Sequence, residues 1–212
     1  MAARARISAV LLAAGRSTRF GGDQPKQLYP WEGEPLVRRT ARAALAAGFD
    51  ELLVVVGHRS REVEAALAGM AVKVVANPRF AEGKASSVAA GLAAVSPRSA
   101  AAVFLPCDQP WLDTELLLGL AEAYRLTSAG STGGGIVVPS FEGRRGAPVL
   151  FDRRFFAELS RLQGEEGGRD LLSRHPEQLV ELELESEAPL LDLDAAEDEN
   201  RLRRERQPPS GA

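Results

Sequence analysis

The sequence predicts a three-layer α/β/α domain with a mostly parallel central sheet. Short aliphatic and β-branched runs alternate with segments whose apolar residues recur every three or four positions. The predicted strands are 7–13, 51–57, 72–77, 101–106, 135–140 and 179–185, and the predicted helices are 35–48, 60–70, 86–95 and 113–126. Consecutive parallel strands need crossover helices, so this alternation indicates a Rossmann-like sheet covered on both faces.

The second half of the chain is less regular. Residues 131–135 are predicted to form a loop, and 152–162 and 167–175 two short helices. The segment 143–151 resembles a turn that enters a short strand, and Pro148 predicts that this strand lies at a sheet edge. We expect one domain over residues 1–200. Residues 201–212 are expected to be a disordered tail because they lack an apolar face after Leu202.

Composition narrows the function classes. The chain has 212 residues and a net charge of −3, which argues against a general nucleic-acid binder. Lysine and arginine dominate the first third, so a cleft lined by them would bind a compact polyanion. The single cysteine precludes an intramolecular disulfide and fits a reducing compartment. One cysteine and two histidines cannot form a closed zinc site.

The N-terminus allows two interpretations. Arg4 and Arg6 precede an apolar run, 7–14, which resembles a weak signal peptide. A strand buried on both faces is equally apolar, and a signal peptide would not explain the charged glycine-rich loop that follows. No apolar run approaches the roughly 18 residues needed to span a bilayer. We therefore expect a soluble cytoplasmic protein that binds neither membrane nor nucleic acid.

The loop after the first predicted strand, within "LLAAGRSTRFGGDQPKQL" (11–28), predicts phosphate binding. Ligands of doubly wound sheets lie at the carboxyl ends of the strands. The loop combines glycines with cationic side chains: Gly15, Gly21 and Gly22 with Arg16, Arg19 and Lys26. Its spacing matches neither a P-loop nor the dinucleotide fingerprint. The alternative is an ordinary flexible loop with solvated charges.

Carboxylates follow two later segments. Asp108 comes directly after the predicted strand 101–106, where an oxygen ligand suits Mg²⁺, although it could simply form a turn with Pro110. The segment "LLDLDAAED" (190–198) adds further acids. Asp192 and Asp194 would point the same way in an extended chain, and Asp194 could instead cap the last helix.

Together these motifs resemble the MobA-like nucleotidyltransferases, most closely the branch that contains molybdenum cofactor cytidylyltransferase. The loop 11–28 is similar to the signature of the superfamily. The branch is indicated by an ordered set of further motifs: "PLVRRTARAALAAG", "VVVGHRSREV", "NPRFAEGKASSVAAGL", "CDQP", "GRRGAPVLF" and "LLDLDAAED". The resemblance implies transfer of a nucleotide from a nucleoside triphosphate to a phosphate-bearing acceptor.

The resemblance also implies roles for individual residues. Base and ribose would contact Ala13, Ala14 and Gly15, with Gly83 and Ser87 completing the base pocket. The triphosphate would be held by Arg16, Arg19 and Lys26, and catalysis would depend on Lys26, Arg19 and Asp108. Family members that carry Ala-Ala-Gly select cytosine, so Ala14 implies CTP. For Ser86 and Ser87, helix capping is an equally good explanation.

Mg²⁺ is the implied metal, with Asp108 and Asp192 as ligands and Asp194 as the alternate second ligand. Ala195 and Ala196 replace the Thr-Pro that is typical of the family at this turn.

Arg144, Arg145 and Gly146 are the implied acceptor-binding residues, with solvated surface arginines as the alternative. Ala147 replaces a residue that is polar in the family. His58 is interpreted as structural. Cys107 is interpreted as a small buried residue because no histidine is identifiably near it.

The implied acceptor is molybdenum cofactor (molybdopterin), and a client molybdoenzyme would be the downstream partner. Two other enzymes are alternatives. One is a cytidylyltransferase for a small sugar phosphate such as methylerythritol 4-phosphate, and the other is a GTP-using molybdenum cofactor guanylyltransferase. A sugar-1-phosphate nucleotidyltransferase is a third. A different class is a non-catalytic nucleotide sensor or cofactor chaperone.

Overall fold

A computed structural model describes residues 4–17, 20, 25–128, 135–195 and 198–205. The strands are β1 (Ile7–Ala13), β2 (Pro30–Trp31), β3 (Glu34–Pro35), β4 (Glu51–Val56), β5 (Lys73–Ala76), β6 (Ala101–Pro106), β7 (Ile136–Phe141), β8 (Arg144–Arg145), β9 (Val149–Asp152) and β10 (Leu179–Glu183). The helices are α1 (Leu36–Ala46), α2 (Ser60–Ala66), α3 (Lys84–Ala94), α4 (Thr114–Ser128), α5 (Phe156–Leu159), α6 (Gly168–Arg174) and α7 (Glu199–Glu205).

The main sheet of the described residues has eight strands, in the order β10-β7-β9-β6-β1-β4-β5, with β8 paired to β7. Strand β1 lies between β4 and β6 and is parallel to both. The chain runs outward from β1 to β4 and β5, then returns to form β6 on the other side of β1. This reversal opens a crevice at the carboxyl ends of β1 and β6, where doubly wound folds bind ligands.

Both faces of the sheet are covered by helices, which confirms the three-layer prediction. Leu11 of β1 belongs to one apolar cluster with Val37 of α1 and Leu117 of α4. Val10, which points to the opposite face, belongs to a second cluster with Val88 of α3 and with residues of α5 and α6. The six predicted strands and four predicted helices are present with small differences at their ends. Among the described residues no helix combines the length and apolarity required to cross a membrane.

The predicted edge position of the strand after Pro148 is wrong. Strand β9 lies inside the sheet and pairs antiparallel with both β6 and β7. Pro148 immediately precedes the first residue of β9, so its missing N–H removes no hydrogen bond from either ladder. The antiparallel insertion brings the segment after Gly146 to the middle of the sheet.

The chain remains ordered past residue 200, the predicted end of the domain. Leu202 of α7 is fully buried in a third apolar cluster with Trp31 and Trp111. Its carbonyl oxygen accepts a 3.0 Å hydrogen bond from Trp111 Nε1. Helix α7 therefore belongs to the domain, whereas residues 206–212 of the predicted tail, and residues 131–134 of the predicted loop, lie outside the described residues.

Gly91 fixes the distance between α3 and the sheet. A Cβ at this position would lie 2.5 Å from Val10 Cγ1 and 3.2 Å from Val55 Cγ2. Gly91→Val is expected to lower the free energy of unfolding by roughly 1–3 kcal/mol because the helix must move away from the sheet. Urea denaturation measures this change. Ala93→Val on the exposed side of α3 is the control and should cost under about 1 kcal/mol; equal losses would contradict the prediction.

Candidate active site

A cavity of about 490 Å³ lies at the crevice formed by the chain reversal. Its wall combines the loop after β1, the start of α3, the end of β6 and part of β9. The candidate residues Ala14, Gly15, Arg16, Lys26 and Asp108 all line it. Gly83, Ser87 and Asp194 line it as well. Segments widely separated in sequence therefore contribute to one site, at the sheet edge where ligand binding was expected.

Gln27 fixes the shape of the first loop. Its side chain is buried, and Nε2 donates a 2.7 Å hydrogen bond to the Gly15 carbonyl oxygen. Its Oε1 accepts a 3.2 Å hydrogen bond from Ser17 Oγ. The two ends of the loop are thus joined through one amide. Arg16 lies over the ring of Phe80, with 5.6 Å between the guanidinium carbon and the ring centroid.

Three residues predicted in this loop lie outside the described residues: Arg19, Gly21 and Gly22. The buried carboxyl end of β1, Ala13, leads directly into the cavity wall at Ala14.

Lys26 contacts two carboxylates from later parts of the chain. Its Nζ lies 3.0 Å from Asp108 Oδ2 and 3.4 Å from Asp194 Oδ1. The Lys26 side chain is only 13% exposed, whereas Asp194 is 75% exposed. A mostly buried ammonium group is therefore held between two acidic side chains on the cavity wall.

Leu193 positions the two aspartates beside it. Its N–H donates a 2.8 Å hydrogen bond to the Asp108 carbonyl oxygen, and its side chain is fully buried. Asp194 then reaches Lys26, while Asp192 Oδ1 accepts a 3.1 Å hydrogen bond from Gln109 Nε2. Burial, and secondarily the negative charge of Asp108, raises the pKa of Asp192. Of the two aspartates, Asp194 lines the cavity and Asp192 does not.

These carboxylates fit a divalent cation. They supply the oxygen ligands that Mg²⁺ and Mn²⁺ prefer. Burial raises the pKa of Asp192 most, and a cation would offset the smaller contribution from the charge of Asp108. Within the described residues no three His, Cys, Asp or Glu side chains are grouped closely enough to form a complete metal site. Asp108 with Asp192 or Asp194 would therefore share the ion with phosphate oxygens and water.

The predicted base pocket is formed by the start of α3. Gly83 has φ of +106°, and a Cβ there would collide with the Gly164 carbonyl oxygen, so the position requires glycine. Ser87 is buried, and its Oγ accepts a 3.0 Å hydrogen bond from Asn77 Nδ2. The same amide donates to Ser86 Oγ at 2.9 Å. Ser86 in turn donates to the Gly83 carbonyl oxygen. Among the described residues the N-cap of α3 is Gly83, with no side-chain cap hydrogen bond, so the capping explanation for Ser86 and Ser87 is wrong.

Asn77 is a buried positioning residue that sequence reasoning missed. It follows β5 at the same carboxyl edge of the sheet as Asp108, which was the available indication. Lys84 and Arg169 also line the cavity and were not predicted. They come from two helix starts separated by the whole of β6 to β9, so no local motif joins them.

The three predicted acceptor-binding residues do not line the cavity. Arg144 forms an ion pair with Glu187 at 2.8 Å, and Arg145 forms one with Glu181 at 2.7 Å. Gly146 packs against Leu190. Strand β8 directs these residues toward the β10 side of the sheet, whereas the neighbouring Ala147 does line the cavity.

Cys107 and His58 occupy structural positions. Burial, reinforced by the charge of Asp108, raises the pKa of the Cys107 thiol far above its ordinary value, so the thiol stays protonated. The backbone N–H of His58 donates a 3.1 Å hydrogen bond to the Ala14 carbonyl oxygen. Its ring lies 6.1 Å from that of Phe80.

Comparison with known proteins identifies the family of this domain. The sequence model of the MobA-like NTP transferase domain matches residues 9–179. The chain belongs to this family. The match spans the first loop, the end of β6 and the start of α6, and it includes most of the cavity wall. The structure and this membership together identify a nucleotidyltransferase domain of the MobA-like type.

Solved structures with the same fold cover nearly the whole domain. Rv0371c from Mycobacterium tuberculosis H37Rv is 32% identical, with a TM-score of 0.80 over 94% of this chain and 98% of that chain. Its manganese complex is 31% identical, with a TM-score of 0.77 over 93% and 97% of the two chains. A nucleotidyl transferase from Methanothermobacter thermautotroptrophicus is 27% identical, with a TM-score of 0.78 over 94% and 96%.

A curated relative is larger than this MobA-like chain. The bifunctional protein GlmU of Geobacter metallireducens is 30% identical over 148 residues, which is 65% of this chain and 31% of that protein. The chain thus spans about a third of the length of this relative.

Asn77 is expected to stabilise the start of α3. Asn77→Ala would leave the buried hydroxyls of Ser86 and Ser87 without their shared donor, which should lower the free energy of unfolding by roughly 1–3 kcal/mol. Urea denaturation measures the loss. Ser160→Ala is the control, since it removes an exposed 2.8 Å hydrogen bond to Ala157 and should cost under about 0.5 kcal/mol. Equal losses in the two variants would contradict a structural role for the Asn77 amide.

Proposed function

We propose that this protein is a magnesium-dependent cytidylyltransferase that transfers CMP from CTP to a phosphate-bearing acceptor and releases pyrophosphate. The observation that carries the proposal is the 3.0 Å contact between Lys26 and Asp108 on the wall of one cavity. It joins the proposed phosphate-binding loop to the proposed metal ligand. Ligand binding at this point of the sheet is the rule in doubly wound folds.

The proposed reaction needs no protein nucleophile. The acceptor's phosphate is already ionised near neutral pH, so its oxygen attacks the α-phosphorus of CTP while pyrophosphate leaves. Catalysis then consists of positioning and charge neutralisation. Arg16 and Lys26 line the cavity and would bind the triphosphate. Arg19 is proposed for the same role from the sequence motif.

Asp108 and Asp192, with Asp194 as the alternate for the second, are the proposed metal ligands. A bound divalent cation would neutralise charge on the reacting phosphates. The manganese complex of Rv0371c supports a divalent metal in this family. Lys26 lies in the same group of charges and would move from the carboxylates to the β- and γ-phosphates as the nucleotide binds.

CTP is proposed over GTP because of Ala14. Ala14 lines the cavity, and the residue is only 2% exposed. The resemblance implies cytosine selection for this sequence and guanine selection where glycine occupies the position. The added methyl group reduces the room available to a purine, and that difference supports the smaller base.

Molybdenum cofactor is the proposed acceptor, with a client molybdoenzyme receiving the product. A small sugar phosphate such as methylerythritol 4-phosphate is the second candidate. The "PKQL" sequence at 25–28, which also occurs in methylerythritol-phosphate cytidylyltransferases, favours that alternative. The measurements below distinguish the proposed cytidylyltransferase from a guanylyltransferase and from a non-catalytic nucleotide sensor.

Lys26→Ala is expected to weaken CTP binding by about 2 kcal/mol, or roughly thirtyfold, because a mostly buried ammonium would no longer contact the phosphates. Calorimetric titration with CTP and magnesium measures the change. Lys73→Ala is the matched control, because Lys73 lies on β5 outside the cavity wall. Unchanged CTP affinity in Lys26→Ala would count against the proposed triphosphate site.

Asp108→Asn is expected to abolish magnesium-dependent pyrophosphate release and to leave the unfolding curve nearly unchanged. The assay compares CTP with GTP, using molybdenum cofactor as acceptor, and the wild type should use CTP. Asp113→Asn is the control, since Asp113 caps α4 through a 2.9 Å hydrogen bond to the Leu116 N–H, and asparagine caps equally well.

Other results of this assay would favour the alternatives. Activity that persists in Asp108→Asn would place the metal elsewhere. Turnover of GTP would favour the guanylyltransferase, and turnover of methylerythritol 4-phosphate without any use of the pterin would favour the sugar phosphate. CTP binding without pyrophosphate release from any acceptor would favour the sensor.

A further inference from the structure

The cavity continues past Asp108 toward strand β9. Sheet order places β1, β6 and β9 side by side, so the first loop lies on one side of β6 and β9 on the other. The wall here is apolar and partly aromatic: Phe104 of β6 and Val149 of β9 are 8% and 4% exposed, and Phe151 beside them is fully buried. The Phe104 and Phe151 rings lie 6.1 Å apart in an edge-on arrangement. None of these side chains belongs to the proposed nucleotide site.

Two cations, Lys84 and Arg169, line the same cavity. Both are exposed, and within the described parts of the chain neither forms an ion pair or a side-chain hydrogen bond. Arg144 and Arg145, by contrast, are each paired with a glutamate. Binding an anion at Lys84 and Arg169 would therefore break no existing ion pair.

Two consecutive glycines, Gly167 and Gly168, let the start of α6 pack closely against Lys84 and Phe151. A Cβ on Gly167 would lie 3.3–3.6 Å from the outer atoms of the Lys84 side chain. A Cβ on Gly168 would lie 2.9 Å from the Phe151 ring. The start of α6 therefore packs directly against both, and Arg169 follows at the next position. Larger residues at 167 and 168 would push Arg169 away from the cavity.

We propose that Lys84 and Arg169 bind the phosphate of the acceptor and that Phe104 and Val149 contact an apolar acceptor body. This inference rests on the proposed nucleotidyl transfer and assigns its acceptor side. Glu165 also lines the cavity, so the three ionic side chains carry a net charge of +1, which suits a single phosphate group. A guanidinium binds two phosphate oxygens at once and would orient the third toward CTP.

The test uses the phosphate monoester 4-methylumbelliferyl phosphate, its phosphate-free parent 4-methylumbelliferone, and inorganic phosphate. Each is titrated into the full chain saturated with CTP, with magnesium withheld so that no transfer occurs. The wild type should bind the phosphate ester more tightly than either fragment. Lys84→Met and Arg169→Met should each weaken ester binding by about tenfold and leave 4-methylumbelliferone unaffected.

The matched control is Lys73→Met. The chain has three lysines, Lys26, Lys73 and Lys84, and Lys73 lies outside the cavity wall. CTP affinity should be unchanged in all three methionine variants. Ester binding at wild-type strength in Lys84→Met and Arg169→Met would overturn the proposal, as would an equal loss of CTP affinity, which would assign these cations to the nucleotide. Equal affinity for inorganic phosphate and the ester would contradict the proposed contact between the acceptor body and the apolar wall.

The proposed nucleotidyl transfer can fail separately. If the wild type binds no CTP, that function is contradicted, and the same titrations on the nucleotide-free protein still decide the anion site through the Lys84→Met and Arg169→Met variants.

Discussion

The contact between Lys26 and Asp108 is the constraint on which the site depends. It joins side chains 82 positions apart, and Asp194, 168 positions from Lys26, completes the group. Lys26 Nζ contacts both carboxylates, at 3.0 and 3.4 Å, so the three side chains restrict one another's positions, and Lys26 keeps one acidic partner if the other is neutralised. Asp108 remains 32% exposed toward the cavity. Such an ion pair contributes little net stability to the fold. The Lys26 ammonium could therefore leave a carboxylate and contact a bound ligand at little cost.

The central fold was predictable because its strands are buried on both faces. Parallel strands between two helical layers are continuous apolar runs, and each such run ends at a turn residue or cap that sequence alone reveals. The position of β9 was not predictable. Pro148 marks only the residue before the strand, and pairing with β6 and β7 is decided by distant segments. The order of residues 201–205 was not predictable for a similar reason, since Leu202 is buried against Trp31 and Trp111.

The candidate site divides in the same way. Gly15, Lys26 and Asp108 were predicted from local motifs at strand ends, and they line one cavity because sheet geometry brings strand ends together. Arg144 and Arg145 were placed on the acceptor by a local motif, yet their partners Glu181 and Glu187 come from later in the chain. A local motif therefore does not reveal which arginines form ion pairs with acidic residues from distant parts of the chain.

The distribution of charge along the cavity indicates where each anionic substrate of the proposed reaction would bind. Arg16 and Lys26 lie on the β1 side of Asp108, while Arg169 follows the glycines that pack against β9. Two anionic substrates bound to these separate groups would repel each other unless positive charge lies between them. Asp108 lies between the two groups of cations and would hold a metal ion that supplies this positive charge. Its own negative charge would therefore favour catalysis through the bound cation and the flanking cationic side chains. In the proposed reaction the carboxylates therefore bring two phosphates together without binding either one directly.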